Sequence, residues 1–147
     1  MIRPAGQKVK AGCLFERFRF GGSSKKRQDI MQLLTSEQES QLLTNGKKQA
    51  AVRGTADEID FEPVVKLFNP YGPGTWLLTE LDPEQPDIAF GLADLGYPEL
   101  GSISMSELKE WRHPLLGQGI ERDLYWSPQR TLSAYADEAR KAGYIAA

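Results

Sequence analysis

The stretches Thr75–Leu81 (TWLLTEL) and Ile88–Asp94 (IAFGLAD) decide the fold of this chain. Each is an apolar-rich run of seven residues with turn-forming residues on both sides, which is the pattern of a β-strand. The link between them has only six residues, two of them proline. Because strands joined by so short a link usually pair with each other, the two stretches are predicted to be antiparallel neighbours.

The alternation of side chains predicts which residues share a face of each strand. Along the first stretch, Leu78 and Glu80 are expected on one face, and Leu77 and Leu81 on the other. Along the second stretch, the larger side chains share a face and the opposite face carries only Ala and Gly. We expect another element to approach that small-residue face closely.

Three further stretches have the composition and the turn boundaries of strands. They are Glu62–Phe68, Leu100–Ile103 and Ile120–Trp126. Together the five stretches predict an antiparallel meander sheet of about five strands.

About three helices are expected to flank this sheet. Two capping boxes, Thr35–Gln38 and Ser104–Glu107, mark helix starts, because the side chains at both ends of each box can bond backbone N–H groups. The first helix is predicted to stop at Asn45-Gly46, residues typical of a C-cap, before Lys47–Val52 adds another helical turn. The second is predicted to run to Arg112 and the third over about Thr131–Ala142. This pattern predicts a single α+β domain over residues 31–147.

The composition excludes several classes of protein. No apolar run reaches the roughly 20 residues of a membrane helix, so no membrane association is expected. Cys13 is the only cysteine and His113 the only histidine, which excludes an internal disulfide and zinc sites of four cysteines or of two cysteines and two histidines. A reducing, cytoplasmic location fits this inventory. The sequence predicts no cofactor and no resident metal.

The first thirty residues differ from the rest of the chain in charge. They hold eight basic and two acidic residues, whereas residues 31–147 hold ten basic and 18 acidic ones. We expect an unstructured basic extension, and its aromatic residues interleaved with basic ones could bind nucleic acid. Met31 is the alternative translation start, in which case residues 1–30 would not belong to the native protein. The candidate nucleic-acid residues are Arg17, Arg19, Lys25, Lys26 and Arg27.

Several short stretches from Leu33 onward occur together in an order that is specific. They are Leu33-Leu34-Thr35, Asn45-Gly46, Val64–Phe68, Thr75–Glu80, Phe90-Gly91-Leu92, Asp94, Glu99-Leu100-Gly101, Ser104–Leu108 and Glu121–Tyr125. In these stretches the chain resembles a bacterial family called domain of unknown function 2958. The resemblance implies a small cytoplasmic protein of plasmids, integrative elements and phages, and it supplies no catalytic residues.

Three carboxylates form the first candidate site. Glu80, Asp94 and Glu99 are predicted near the ends of adjacent strands, where they could converge on a hard cation. The other interpretation is ordinary solvated charge on a sheet, with Lys66 neutralising one carboxylate across the strands.

Arg122 is the second candidate, because the alternation of its strand places it on the apolar side. An inward Arg needs a partner, and Asp94 is the expected one. The pair could line a ligand pocket or serve as a buried structural ion pair. Trp111 is expected in the core, or alternatively on a partner surface.

The sequence therefore favours an accessory or interaction module of a mobile element, with an unknown protein as partner and nucleic acid bound only through residues 1–30. One alternative is a metal-dependent phosphoester hydrolase or nuclease, since Pro86-Asp87 and Glu107-Leu108-Lys109 fit a loose P-D…E-x-K pattern. Against it, a helix would turn Lys109 about 200° away from Glu107. The other alternative is an acidic inhibitor that imitates nucleic acid to block a host defence protein.

Overall fold

A five-stranded antiparallel sheet forms the centre of the computed structural model, which describes residues 33–147. The strands run in the order β4-β3-β2-β1-β5, so the predicted meander and its α+β class are confirmed. The predicted basic extension, residues 1–30, lies outside the described residues. The elements are α1 (Ser36–Val52), β1 (Val65–Phe68), β2 (Thr75–Leu81), β3 (Ile88–Asp94), β4 (Pro98–Ser104), α2 (Met105–Glu110), β5 (Glu121–Arg122) and α3 (Leu132–Ala142).

The sheet has a hydrophobic cluster on each face. Leu77 and Leu78 follow each other on the central strand β2, and because side chains alternate they serve opposite clusters, each fully buried. Complete burial of a leucine stabilises the fold by about 1.5–3 kcal/mol. The cluster on the α1 face includes Leu42, Val65, Leu67, Trp76, Leu78, Leu81, Ile103, Met105 and Leu108. The cluster on the α3 face includes Leu77, Leu92, Leu132, Tyr135, Ala136, Ala139 and Ile145.

A β-bulge at Thr79 changes the side-chain alternation of β2. Leu78 pairs with Gly91 but Glu80 pairs with Phe90, so one extra residue lies between the two pairs. The prediction that Glu80 shares a face with Leu78 is therefore wrong. Leu81 takes that place in the core instead, and Glu80 turns to the α3 face.

Helix α1 begins as predicted but is continuous through the predicted break at Asn45-Gly46. Thr35 Oγ1 accepts from the Gln38 N–H, and Gln38 Oε1 accepts from the Thr35 N–H, both at 3.0 Å, which confirms the capping box. The predicted C-cap at Asn45-Gly46 is wrong, since the helix runs on to Val52. Asn45 and Gly46 are buried at the contact between α1 and β2, where Asn45 Nδ2 donates to the Thr79 carbonyl oxygen at 2.9 Å.

The other two helices are capped by aspartates from distant segments. At α2, Ser104 Oγ accepts from the Glu107 N–H at 3.3 Å, and Asp87 accepts from the N–H and the hydroxyl of Ser106, each at 2.9 Å. At α3, Asp60 accepts from the N–H and the hydroxyl of Ser133. Burial would raise the pKa of Asp60, but hydrogen bonds from Ser133 and Thr131 outweigh it and lower that pKa below its ordinary value.

Two predicted strands and one predicted helix are longer than the observed ones. β1 begins at Val65 rather than Glu62, after Pro63, which cannot donate to a ladder. β5 covers only Glu121–Arg122, because Asp123 then accepts from the Tyr125 N–H and turns the chain away. α2 ends at Glu110 rather than Arg112.

Candidate functional site

Glu80 lies at the bottom of a cleft on the α3 face of the sheet. The bulge at Thr79 directs the side chain there, and only 4% of the residue is exposed. The cleft has a volume of about 580 Å³ and lies between the C-terminal end of α1 and the N-terminal end of α3. Its lining residues include Gln49, Arg53, Glu58, Asp60, Glu80, Asp82, Phe90, Ser102 and Ser133.

The charge of Glu80 is disfavoured by burial and favoured by its neighbours. Arg53 Nη2 lies 3.4 Å from Glu80 Oε2, and the Thr79 hydroxyl donates to Oε1 at 3.4 Å. Loss of hydration nevertheless outweighs these contacts and a hydrogen bond to Gln49, so burial raises the pKa of Glu80. A buried carboxyl with a raised pKa in a cleft can donate or accept a proton, which marks it as a candidate functional group.

Asp94 lies at the opposite end of the β2–β3 pair. Its carboxylate accepts from the Gly96 N–H at 2.9 Å and from the Ile145 N–H at 3.0 Å, so it fastens the segment after α3 to the sheet. Lys66 lines the same pocket, of about 630 Å³, as Asp94. Lys66 Nζ donates to the backbone oxygen of Ala147 at 2.7 Å and lies 3.5 Å from Asp123 Oδ2.

The structure does not bring the three predicted carboxylates together. Asp94 pairs with Thr75 and Glu80 with Phe90, and the four residues from Phe90 to Asp94 along β3 correspond to about 13 Å. Glu99 pairs with Ala93 and therefore points to the face opposite Asp94. Within residues 33–147 no three His, Cys, Asp or Glu side chains are grouped so that they could hold a metal ion. The predicted neutralisation of one of these carboxylates by Lys66 is replaced by its contact with Asp123.

Arg122 and Asp94 do not form the predicted pair. Arg122 lies on β5, opposite Leu67, and therefore on the α1 face. Asp94 lies on β3 and on the α3 face. Three strand spacings of about 4.8 Å and the thickness of the sheet separate them. The sequence pattern could not show this, because it gives alternation within a strand but not the order of strands.

The sequence profile of a family of proteins of unknown function, DUF2958, matches residues 33–146. The chain belongs to this family. No match was found among curated proteins or among solved structures. Within the part that the structure describes, no helix is long and apolar enough to cross a membrane. The five candidate nucleic-acid residues between Arg17 and Arg27 lie outside the described residues.

The loop after α2 exposes two neighbouring leucines of this DUF2958 protein. Leu115 is 89% and Leu116 57% exposed, although the loop itself is well ordered by hydrogen bonds. His113 N–H donates to the Gln118 carbonyl at 2.8 Å, and Gly117 N–H donates to the His113 carbonyl at 2.9 Å. His113 Nδ1 also accepts from the N–H groups of Leu115 and Leu116, both at 3.1 Å.

Aromatic side chains support the base of this loop. The His113 ring lies edge-on to Tyr71 at 5.6 Å and to Trp111 at 6.4 Å between centroids. Trp111 is 36% exposed, so it lies at the surface rather than in the core. The sequence pointed to Trp111 as an alternative partner surface, but it missed the two leucines and the ring of hydrogen bonds around His113. The local signal was the turn Pro114–Gly117 with two leucines at its centre.

Proposed function

We propose that this DUF2958 protein is a non-enzymatic protein-interaction module, an accessory factor of a bacterial mobile genetic element that acts in the cytoplasm. The observation that carries the proposal is the ordered loop His113–Gln118, which exposes Leu115 and Leu116 at its tip. The mobile-element setting comes from the resemblance of the chain to plasmid, integrative-element and phage proteins.

The order of the loop favours a binding role over accidental exposure. Exposed leucines on a flexible loop would lose conformational entropy on binding, whereas a loop already fixed by four hydrogen bonds keeps that cost low. A partner with an apolar pocket would bury both side chains, each contributing about 1.5–3 kcal/mol. The neighbouring Trp111 would extend the contact, since tryptophan is enriched among residues that dominate interfaces.

The charge around the loop favours a protein partner over a lipid surface. Binding to anionic membranes needs an excess of Lys and Arg beside the apolar residues. Residues 109–123 contain three basic and three acidic side chains, so they have no net charge.

The two alternative functions have less support in the geometry. A metal-dependent hydrolase needs convergent carboxylates, but Asp87 is occupied as the cap of α2, and Glu80 and Asp94 lie far apart. A nucleic-acid mimic needs a dense array of exposed carboxylates, and although Glu37, Glu39 and Glu84 are exposed, 18 acidic against ten basic side chains over residues 33–147 is a modest excess for that role.

The test is affinity capture from a host-cell lysate with quantitative mass spectrometry. We expect the wild-type protein to enrich a specific partner, and the double variant Leu115→Ser, Leu116→Ser to lose at least tenfold of that enrichment. The matched control is Leu95→Ser, which removes another leucine, 66% exposed, from the β3–β4 turn. Equal enrichment by the double variant and the control would overturn the proposal, and so would binding to phosphatidylglycerol vesicles in place of a protein.

A further inference from the structure

The outer edge of β4 is long and regular, and no strand among residues 33–147 pairs with it. β4 is the last strand in the sheet, and all of Pro98–Ser104 pairs with β3 without a register shift. Within residues 33–147, no hydrogen bond from another element reaches its outer side. Natural edges are usually blunted by lysines, bulges or a covering loop, but β4 has only Pro98 and Glu99, both at its start. Such an edge can accept a further strand.

The acidic cleft opens onto this same edge. Glu80 pairs with Phe90 and Phe90 with Ser102, so these three residues form a row across the sheet from Glu80 to the edge. Phe90 is 38% exposed and Ser102 is exposed, which leaves the floor of the cleft open. The carboxylates of Glu58, Asp60, Glu80 and Asp82 line the cleft, with Arg53 as the one cation among its lining residues.

We infer that β4 binds an extended basic segment of a partner protein as a sixth strand of the sheet. A Lys or Arg of that segment beside Ser102 extends over the Phe90 ring towards the carboxylates, because its long side chain spans more than one strand spacing of about 4.8 Å. The ring face of Phe90 attracts the cation. On the other face, Gly101 leaves space for an apolar side chain, since a Cβ there would meet no atom within 4 Å.

Charge selects a basic partner segment over a second copy of this chain. Residues 33–147 carry 18 acidic and ten basic side chains. Pairing β4 with β4 of another copy would bring two acidic clefts to one continuous sheet, and like charges at an interface oppose association. A basic segment is instead attracted by the negative charge of this surface.

This surface is separate from the Leu115–Leu116 loop. The loop precedes β5 and contacts the β1–β2 connection through Tyr71, whereas β4 is the strand at the other edge of the sheet. Loss of partner capture by the loop variant and loss of peptide binding at β4 are therefore independent results.

The probe for the test is a nine-residue peptide of alternating arginine and valine with blocked ends. The matched control peptide has glutamate in place of each arginine. We expect the arginine peptide to bind at least tenfold more tightly by NMR titration and to protect the outward-directed amides of Glu99–Ser104 from hydrogen exchange. Equal binding of both peptides, absence of binding at millimolar concentration, or protection elsewhere in the protein would overturn the inference.

Selective N-methylation separates strand addition from simple charge attraction. In an antiparallel ladder, alternate residues direct their N–H groups to the neighbouring strand. We therefore expect one of two methylated peptides to lose binding and the other to keep it. The first peptide carries N-methyl groups on its arginine residues, and the second carries them on its valine residues. Equal binding of the two methylated peptides would show attraction without strand pairing and would contradict the inference.

Three protein variants locate the site. Ser102→Lys places a cation on the cleft floor, and we expect it to weaken peptide binding at least tenfold. Thr44→Lys, on the exposed side of α1, is the control and is expected to change binding less than twofold. Phe90→Leu keeps an apolar side chain without a ring face and is expected to weaken binding severalfold. Equal effects of the two lysine variants would overturn the inference, as would a stable dimer of the free protein in sedimentation that Ser102→Lys dissociates.

Discussion

The carboxyl group of Glu80 has a raised pKa that could not be predicted from the sequence. Burial removes the hydration of its charged form, while Arg53 at 3.4 Å, Thr79 and Gln49 restore only part of that stabilisation. The sequence singled out Glu80 as a candidate but could not find Arg53, because Arg53 follows a part of α1 that extends beyond the predicted C-cap. It also could not foresee the bulge that turns the side chain into the cleft.

The raised pKa of Glu80 predicts how stability depends on pH. Between the ordinary pKa of 4.5 and the raised value, the folded protein holds this proton and the unfolded chain does not. Stability therefore falls as pH rises through this window and then levels off. We expect the free energy of unfolding of wild type, relative to Glu80→Gln, to be highest below pH 4.5 and to decrease above it. Urea unfolding of both proteins at stepped pH measures this difference.

Two further variants check that prediction about Glu80. Glu99→Gln removes the same charge from an exposed site on β4, so it controls for the change in net charge. Arg53→Gln removes the neighbouring cation and should extend the loss of stability to higher pH. A wild type that gains stability relative to Glu80→Gln with rising pH would mean that the pKa is lowered.

The contact between α1 and β2 could not be predicted from the sequence of either element alone. Asn45-Gly46 has the composition of a helix C-cap, yet both residues lie inside α1 and face the backbone of β2. Gly46 is there because the strand approaches closely, since a Cβ would lie 1.8 Å from the Leu81 carbonyl oxygen. The local sequence is compatible with both roles, and only the neighbouring strand decides between them.

Replacement of Gly46 tests this contact. Gly→Ala inside a helix ordinarily stabilises by about 1 kcal/mol, but here the methyl group would collide with the backbone of Leu81, which cannot move without shifting the strand. We expect Gly46→Ala to lower the free energy of unfolding by at least about 2 kcal/mol, within the range of overpacked sites. Chemical denaturation measures it.

Gly101→Ala is the matched control, because its Cβ would meet nothing within 4 Å. We expect it to leave the free energy of unfolding nearly unchanged. A Gly46→Ala protein as stable as wild type would place α1 farther from β2 than the structure does.

The bounds of β2 and β3 could be predicted residue for residue, because turn residues and apolar composition define both strands locally. β5 could not, because its length is set by the turn at Asp123 and by pairing with β1, which is distant in sequence. The helix caps also include one that could be predicted from the local sequence and one that could not. Thr35 caps its own helix, whereas Asp60 caps α3 from 73 residues away.

At the scale of the whole molecule, the sheet separates two layers of unequal size. The α1 and α2 side contains the larger cluster, and β2 lies between the two clusters at the middle of the strand order. α3 is fastened by a smaller cluster and by Asp60 at its N-terminus. Because local opening follows the number of buried contacts, α3 should open at a lower free energy than β2.

Native-state hydrogen exchange of paired variants tests this order of opening. Leu42→Val removes one buried methylene from the α1 side, about 0.8 kcal/mol. If α3 opens while α1 and the sheet stay packed, this change affects the closed and the α3-open states equally. We therefore expect protection of the β2 amides to fall by that amount and protection of the α3 amides to stay constant. Ala136→Gly, inside α3, should lower both. Equal loss of protection in α3 and β2 with Leu42→Val would mean that the two layers unfold as one unit.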